Sequence, residues 1–259
     1  MNAHHQAEWS FPLVDLHDKK IVVIGASGGV GADVTHELLT AGASVVGTGR
    51  DQARLASLVQ RMETTTLQGS LETAVLDAQG HRFDEEVADL DRRHGPFDAV
   101  VIAVGTWGVQ GPKTAVDLSD SEWSALLDGN LTSIYRLFKA FLPTIAQGGA
   151  LLQINGLSAE VPYPNNSVVA LSAAATKSLF RTAEVELAGG PVQLYHLILG
   201  VIATTAVPDA AKYGYVTIGG AQVGRHVAAL LSGESPLAGE MLQYFVDPVE
   251  GPRRGANQY

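Results

Sequence analysis

The chain has 259 residues, 46% hydrophobic and 17% charged, with a formal net charge of −10 and no cysteine. That is enough apolar material for one large core; the acidic balance argues against a nucleic-acid-binding face, and the missing cysteines exclude disulfides and thiolate chemistry. No apolar run reaches the roughly 18–20 residues of a membrane helix, and MNAHHQAEWSFP lacks the basic-then-apolar order of a secretory leader, so the expected setting is the cytoplasm.

Residues 1–18 read as a solvated polar lead-in; His4, His5 and His17 have no carboxylate or cysteine spacing that would make them a metal site. KIVVIG (20–25) is a β-branched run of the kind that forms a buried strand. The segment 32–42 is an amphipathic helix stopped by Gly42, and SVVGTGR (44–50) is the next strand. A helix over 51–63 has Asp51 as its N-cap. Strands at 73–77, 97–105, 150–156, 192–200 and 240–247 then alternate with helices at 84–94, 122–145, 167–188 and 222–232. This alternation predicts an α/β fold: a doubly wound, Rossmann-type parallel sheet of about seven strands in three layers. One domain spans 19–248, and 249–259 is a tail. Trp123 is expected in the core, and the apolar excess on the long helix (Leu126, Leu127, Leu131, Ile134, Leu137, Phe138, Phe141) predicts a dimer or tetramer.

IGASGGVG (24–31) lies between the first strand and the first helix. Glycines there let backbone approach a pyrophosphate, which the helix N-terminal amides then hold. Gly25, Ser27, Gly28, Gly29, Val30 and Gly31 are the candidate cofactor loop. The second strand ends at Arg50, where an acid would serve the ribose hydroxyls of NAD and an arginine pairs with the 2′-phosphate of NADP. Asp77 is placed to bond the adenine amino group. His36, His81, His94, His196 and His226 show no metal or triad spacing, so no metal site is expected. Ser158 lacks a glycine-flanked elbow and is no hydrolase nucleophile.

These features resemble the short-chain dehydrogenase/reductase family from about residue 18 to 248. The resemblance rests on the glycine spacing at 25–31, Arg50, Trp123 and Asn130 in EWSALLDGNLTS, LQINGLSA (152–159), LGVIATT (199–205) and FVD (245–247). It implies a nicotinamide cofactor, Asn130 as the active-site asparagine, Ser158 as the catalytic serine, and Gly105, Ile202 and Thr204 as cofactor contacts. The departures are equally specific. The family's N-N-A-G reads IAVG at 102–105, with Ala103 at the asparagine position. Its catalytic tyrosine and lysine, counted from Ser158, fall on Leu171 and Ala175, and a register anchored on the downstream helix moves both back by about two. Neither register yields the pair, since no tyrosine lies between Tyr163 and Tyr195.

Removing a general acid costs roughly 10²–10⁴ in rate. Tyr163, after Ser158, is the candidate substitute; Lys177 points elsewhere on the helix, and Tyr213, Tyr215 and Trp107 read as pocket walls. Three readings stand. One is an NADP(H)-dependent reductase of a small C=C, C=N or C=O substrate. The second is a non-redox cyclase, isomerase or dehydratase, and the third is a non-enzymatic NADP-binding protein.

Overall fold

The computed structural model describes residues 11–106, 110–205 and 216–255. The strands are β1 (Lys20–Ile24), β2 (Ser44–Gly49), β3 (Ser70–Val75), β4 (Phe97–Ile102), β5 (Ile145–Gly156), β6 (Gln193–Leu199), β7 (Val201–Ala203), β8 (Thr217–Gly219), β9 (Leu242–Phe245) and β10 (Arg253–Arg254). The helices are α1 (Gly29–Thr40), α2 (Gln52–Glu63), α3 (Phe83–His94), α4 (Asp120–Leu127), α5 (Ser133–Phe141), α6 (Ser167–Glu186) and α7 (Gly220–Ser232).

The main sheet runs β10-β9-β6-β5-β4-β1-β2-β3. All its pairings are parallel except β10 with β9. Strand order reverses at β1, between β2 and β4, which opens a crevice at the C-terminal strand ends. β7 and β8 form a separate parallel pair beside it.

Successive strand residues face opposite layers. Val23 joins Leu38, Leu58 and Val227 beneath α1, α2 and α7, whereas Val22 joins Phe83, Leu137 and Phe180 beneath α3, α5 and α6. Both layers are covered, so the strands are apolar throughout, as a buried parallel sheet requires.

Four expectations are corrected here. The sheet has eight strands, because part of the expected tail, Arg253–Arg254, pairs with β9. The lead-in is not fully solvated: Leu16 is 1% exposed in the core, and Phe11 packs on His226 and Phe245. The long helix is interrupted by a π-turn at Asp128–Thr132 and ends before Ile145, where β5 already begins. Trp123 is 36% exposed rather than core, because α4 buries none of its residues completely.

Candidate functional site

The glycine turn sits at the strand-order reversal. Gly25 has φ +85°, a backbone state that glycine adopts without strain. A side chain at Gly31 would collide with the Gly25 carbonyl, which holds the turn tight against α1. A Cβ at Gly29 would lie 2.8 Å from Thr204 Oγ1, so the loop and Thr204 face each other across a narrow gap. Gly28 is the N-cap of α1 without a side-chain cap, leaving first-turn amides to meet an anion. Ser27 and Val30 are half-buried beside them, and Gly105 opens on empty space at the end of β4. Ile202 lies on β7, half-buried, and Thr204 is 8% exposed just past it. The tight glycine turn, the uncapped first-turn amides of α1 and the open space at Gly105 fit a nicotinamide dinucleotide.

Asp51 is committed to the helix it precedes: its Oδ1 accepts from Ala53 N at 2.8 Å and Arg54 N at 3.1 Å. Arg50 is exposed and makes no hydrogen bond or ion pair with any described residue. A second guanidinium, missed by the sequence reading, stands close by. Arg54 Nη2 donates to the Ser27 carbonyl at 3.2 Å. Its sequence position in the first turn of α2 carries no signal for this. Asp77 Oδ1 accepts from Gln79 N at 3.1 Å, and Asp77 N donates to Glu86, so this loop is shaped by its own bonds.

The expected catalytic residues lie on three different segments. Asn130 is 8% exposed in the π-turn, and its side chain bonds on both sides. Its Oδ1 accepts from Thr106 N (3.1 Å) and Thr106 Oγ1 (2.8 Å), while Nδ2 donates to the Leu126 carbonyl (2.9 Å). It positions the loop after β4. Ser158 is 6% exposed in a 3₁₀ turn after β5 and has no hydrogen-bond partner among the described residues. Its Oγ lies 3.5 Å from where a Cβ on Gly156 would stand. Tyr163 is half-buried in the loop that follows. Trp107, Tyr213, Tyr215, His4 and His5 lie outside the described residues.

On α6, Leu171 is 43% exposed, whereas Ala173 is 7% exposed. The Ala173 carbonyl accepts from Asn155 Nδ2 at 2.8 Å. Asn155 is a hub that the sequence did not reveal. Its Oδ1 accepts from Gly156 N at 2.8 Å, and Nδ2 also meets His196 Nε2 at 3.0 Å. The amide donates there, so His196 carries its proton on Nδ1. His196 is fully buried, and burial, with the Lys177 charge second, lowers its pKa to about 3. Lys177 Nζ donates to Glu160 Oε1 at 2.7 Å, and Tyr244 OH donates to the same oxygen at 2.6 Å. Burial opposes the Glu160 charge, yet the bonds from Lys177 and Tyr244 outweigh it and lower its pKa. Lys177 is therefore tied towards β9. The start of α6 is held from outside the helix: Gln110 Oε1 accepts from Ser167 Oγ (3.1 Å) and Val168 N (3.3 Å).

Among the described residues no group of three or more metal-ligating side chains occurs, and no helix is long and apolar enough to cross a membrane.

Residues 19–212 match the short chain dehydrogenase family. An uncharacterised oxidoreductase of Staphylococcus saprophyticus is 30% identical over 200 residues, 76% of this chain and 84% of that one. The 3-oxoacyl-[acyl-carrier-protein] reductase of Pseudomonas aeruginosa is 26% identical over 205 residues, 77% and 81% of the two chains. Among solved structures, an NADPH-bound short chain oxidoreductase of P. aeruginosa, described as containing an atypical catalytic center, superposes with a TM-score of 0.74. It is 22% identical, with 90% of this chain and 96% of that one covered. The chain belongs to the short-chain dehydrogenase/reductase family. It is an oxidoreductase of that type, on a fold whose members bind a nicotinamide cofactor.

Proposed function

We propose that the protein is an NADP(H)-dependent reductase that works without the family's tyrosine–lysine pair. The observation that carries the cofactor choice is the division of labour after β2: Asp51 is occupied as a helix cap, leaving Arg50 unpaired to meet a 2′-phosphate. Arg54, held on the Ser27 carbonyl, adds a second positive charge on that side. The NADPH-bound state of the P. aeruginosa neighbour agrees with this reading.

The burial of α6 supports the register in which the pair falls on Val169 and Ala173. The two registers differ by roughly 200° around the helix, and it is Ala173 that turns in towards β5. The same shift moves the serine position to Gly156, beside which the Ser158 hydroxyl stands. Lys177, one turn further along the same face, is held by Glu160 and does not replace the lost lysine.

Bound reduced nicotinamide would supply a hydride. The glycine turn and Thr204 would hold the cofactor's phosphates, and Asn130, through Thr106, would fix the loop under the reacting end. Ser158 would offer one hydroxyl to polarise a substrate atom. A serine hydroxyl is a poor acid near neutral pH, so the fitting acceptor needs little proton donation from the chain: a small C=N or activated C=C compound before a simple C=O. The chain is further proposed to act as a homodimer or homotetramer in the cytoplasm, on a small-molecule substrate. The half-exposed Tyr135 and Leu171 on α5 and α6 support self-association.

The test is a fluorescence titration with NADPH, followed by addition of iminium, enone and ketone acceptors while the absorbance of reduced nicotinamide is followed. Binding with oxidation by an imine or enone is the expected result. Binding without oxidation by any acceptor would favour a non-redox use of the pocket, the reading the missing pair also supports. Absence of binding would remove the proposal.

A further inference from the structure

We infer that Asp33 is a positioning residue for the cofactor: it ties the chain leaving β7 onto the helix that carries the glycine turn, and so sets how closely Thr204 approaches the first turn of α1. The inference deepens the NADP(H) reading of this site and rests on it. Asp33 lies in the second turn of α1 and is only 9% exposed. Among the described residues no lysine, arginine or histidine pairs with its carboxylate. A buried charge without a counter-ion is a costly way to fill space, so what this one holds in place is informative.

Three segments meet on this carboxylate. Its Oδ1 accepts from Thr205 Oγ1 at 2.5 Å and its Oδ2 from Thr205 N at 3.3 Å; the first has the short length of a charge-assisted bond. Oδ2 also stands 1.8 Å from where a Cβ on Gly220 would lie, so a side chain at the first residue of α7 would collide with it. One turn further on, a Cβ on Gly224 would come within 2.6 Å of Glu37 Cγ and 2.9 Å of the Asp33 carbonyl oxygen. These two glycines let α7 lie directly on α1. The carboxylate thus sits against the start of α7, where negative charge is favoured, and α7 has no acidic residue of its own in its first turn.

The tie reaches the cofactor site through one residue. Ala203 pairs with Gly219, so the ends of β7 and β8 run side by side into Thr205 and Gly220, the two positions that Asp33 meets. Thr204, directly before Thr205, faces Gly29 at the start of α1, its Oγ1 2.8 Å from the Cβ position there. Both sides of this narrow gap are therefore fixed to one helix: α1 supplies the amides on one side and, through Asp33, holds Thr204 on the other. The spacing between Thr204 and the amides proposed to hold the diphosphate is set by Asp33, whereas Arg50, at the end of β2, lies outside the tie.

The experiment titrates the full chain and its Asp33→Ala, Thr205→Val and Thr205→Ser variants with NADPH and with adenosine 2′-monophosphate, which carries the 2′-phosphate but neither the diphosphate nor the nicotinamide. Asp33→Ala should weaken NADPH binding about tenfold and leave adenosine 2′-monophosphate binding unchanged. Thr205→Val should give a smaller loss of the same kind, because the backbone bond from Thr205 N remains. Thr205→Ser, which keeps the hydroxyl, should give none, and Asp33→Ala with Thr205→Val together should lose no more than Asp33→Ala alone. The Val and Ser variants keep the inference testable if Asp33→Ala does not fold. Equal NADPH affinities across the set, equal losses for both ligands, a Ser variant as weak as Val, or losses that add in the double variant would overturn it. An unaltered chain that refuses NADPH would instead remove the NADP(H) reading. Amide exchange across residues 201–205, measured without cofactor, then decides on the tie itself: faster exchange in Thr205→Val but not in Thr205→Ser is expected, and identical exchange would overturn it.

Discussion

Replacing Arg50 by alanine tests the cofactor assignment most directly. The side chain is exposed and touches no described residue by hydrogen bond or ion pair, so its loss should change folding stability by no more than about 0.5 kcal/mol. If it pairs with the 2′-phosphate, the lost bond is charge-assisted and worth about 1.5–3 kcal/mol. At about 1.4 kcal/mol per tenfold change, NADPH binding should weaken roughly 10- to 150-fold, while NADH binding changes little. Arg54→Ala should produce a smaller loss of the same sign, since that side chain is already shared with the Ser27 carbonyl. The assay is calorimetric or fluorescence titration with both cofactors at one fixed ionic strength, because exposed charge pairs are screened by salt. Equal weakening of NADPH and NADH in Arg50→Ala would refute the reasoning, as would an unaltered protein that prefers NADH.

Three further outcomes are expected. His196 and His226 are buried, and burial lowers their pKa values from 6.5 to about 3 and about 4, in the second case against the bond that His226 Nε2 donates to Gln243 Oε1. The unfolded chain then binds protons that the folded chain refuses. Stability should be intact above about pH 6.5 and fall as the pH drops towards 4, each histidine contributing roughly 2 kcal/mol of loss by pH 5; melting temperatures from pH 8 to pH 5 check this, and a flat profile would contradict it. The triple variant Gly156→Ser, Val169→Tyr, Ala173→Lys should gain NADPH-dependent ketone reduction, whereas Leu171→Tyr with Ala175→Lys should not; the reverse result would restore the other register. Gln110→Ala should destabilise the fold by about 1–3 kcal/mol, since it leaves the Val168 amide at the start of α6 without its partner, and an unchanged denaturant midpoint would show that another group takes over.

Local signals were strong where one residue type had one job. The β-branched runs, the glycine turn and the Asp51 cap could all be read from the chain because each depends on neighbours a few residues away. The family site was harder, since its serine and its tyrosine–lysine pair lie on different elements. Counting across the 157–166 loop gives two registers that use different faces of α6, on which Leu171 is exposed and Ala173 buried. Tertiary contact also supplied partners that the sequence did not show. Asn130, marked as an active-site group, proves to be engaged by Thr106 and Leu126. Lys177 is drawn to Glu160, 17 positions away, and the same Glu160 oxygen accepts from Tyr244, 84 positions further on, in a chain that gives no hint of either bond.

What the amino-acid order determined by itself is the alternation of strand and helix and the glycine turn, because side-chain periodicity and backbone freedom are properties of short stretches. Only the tertiary structure decided which carboxylate is already used, which guanidinium is unpaired, how α6 is rotated and where the last strand goes. Each of these depends on groups brought together from distant parts of the chain, and the bonds they make with one another leave no pattern in the sequence.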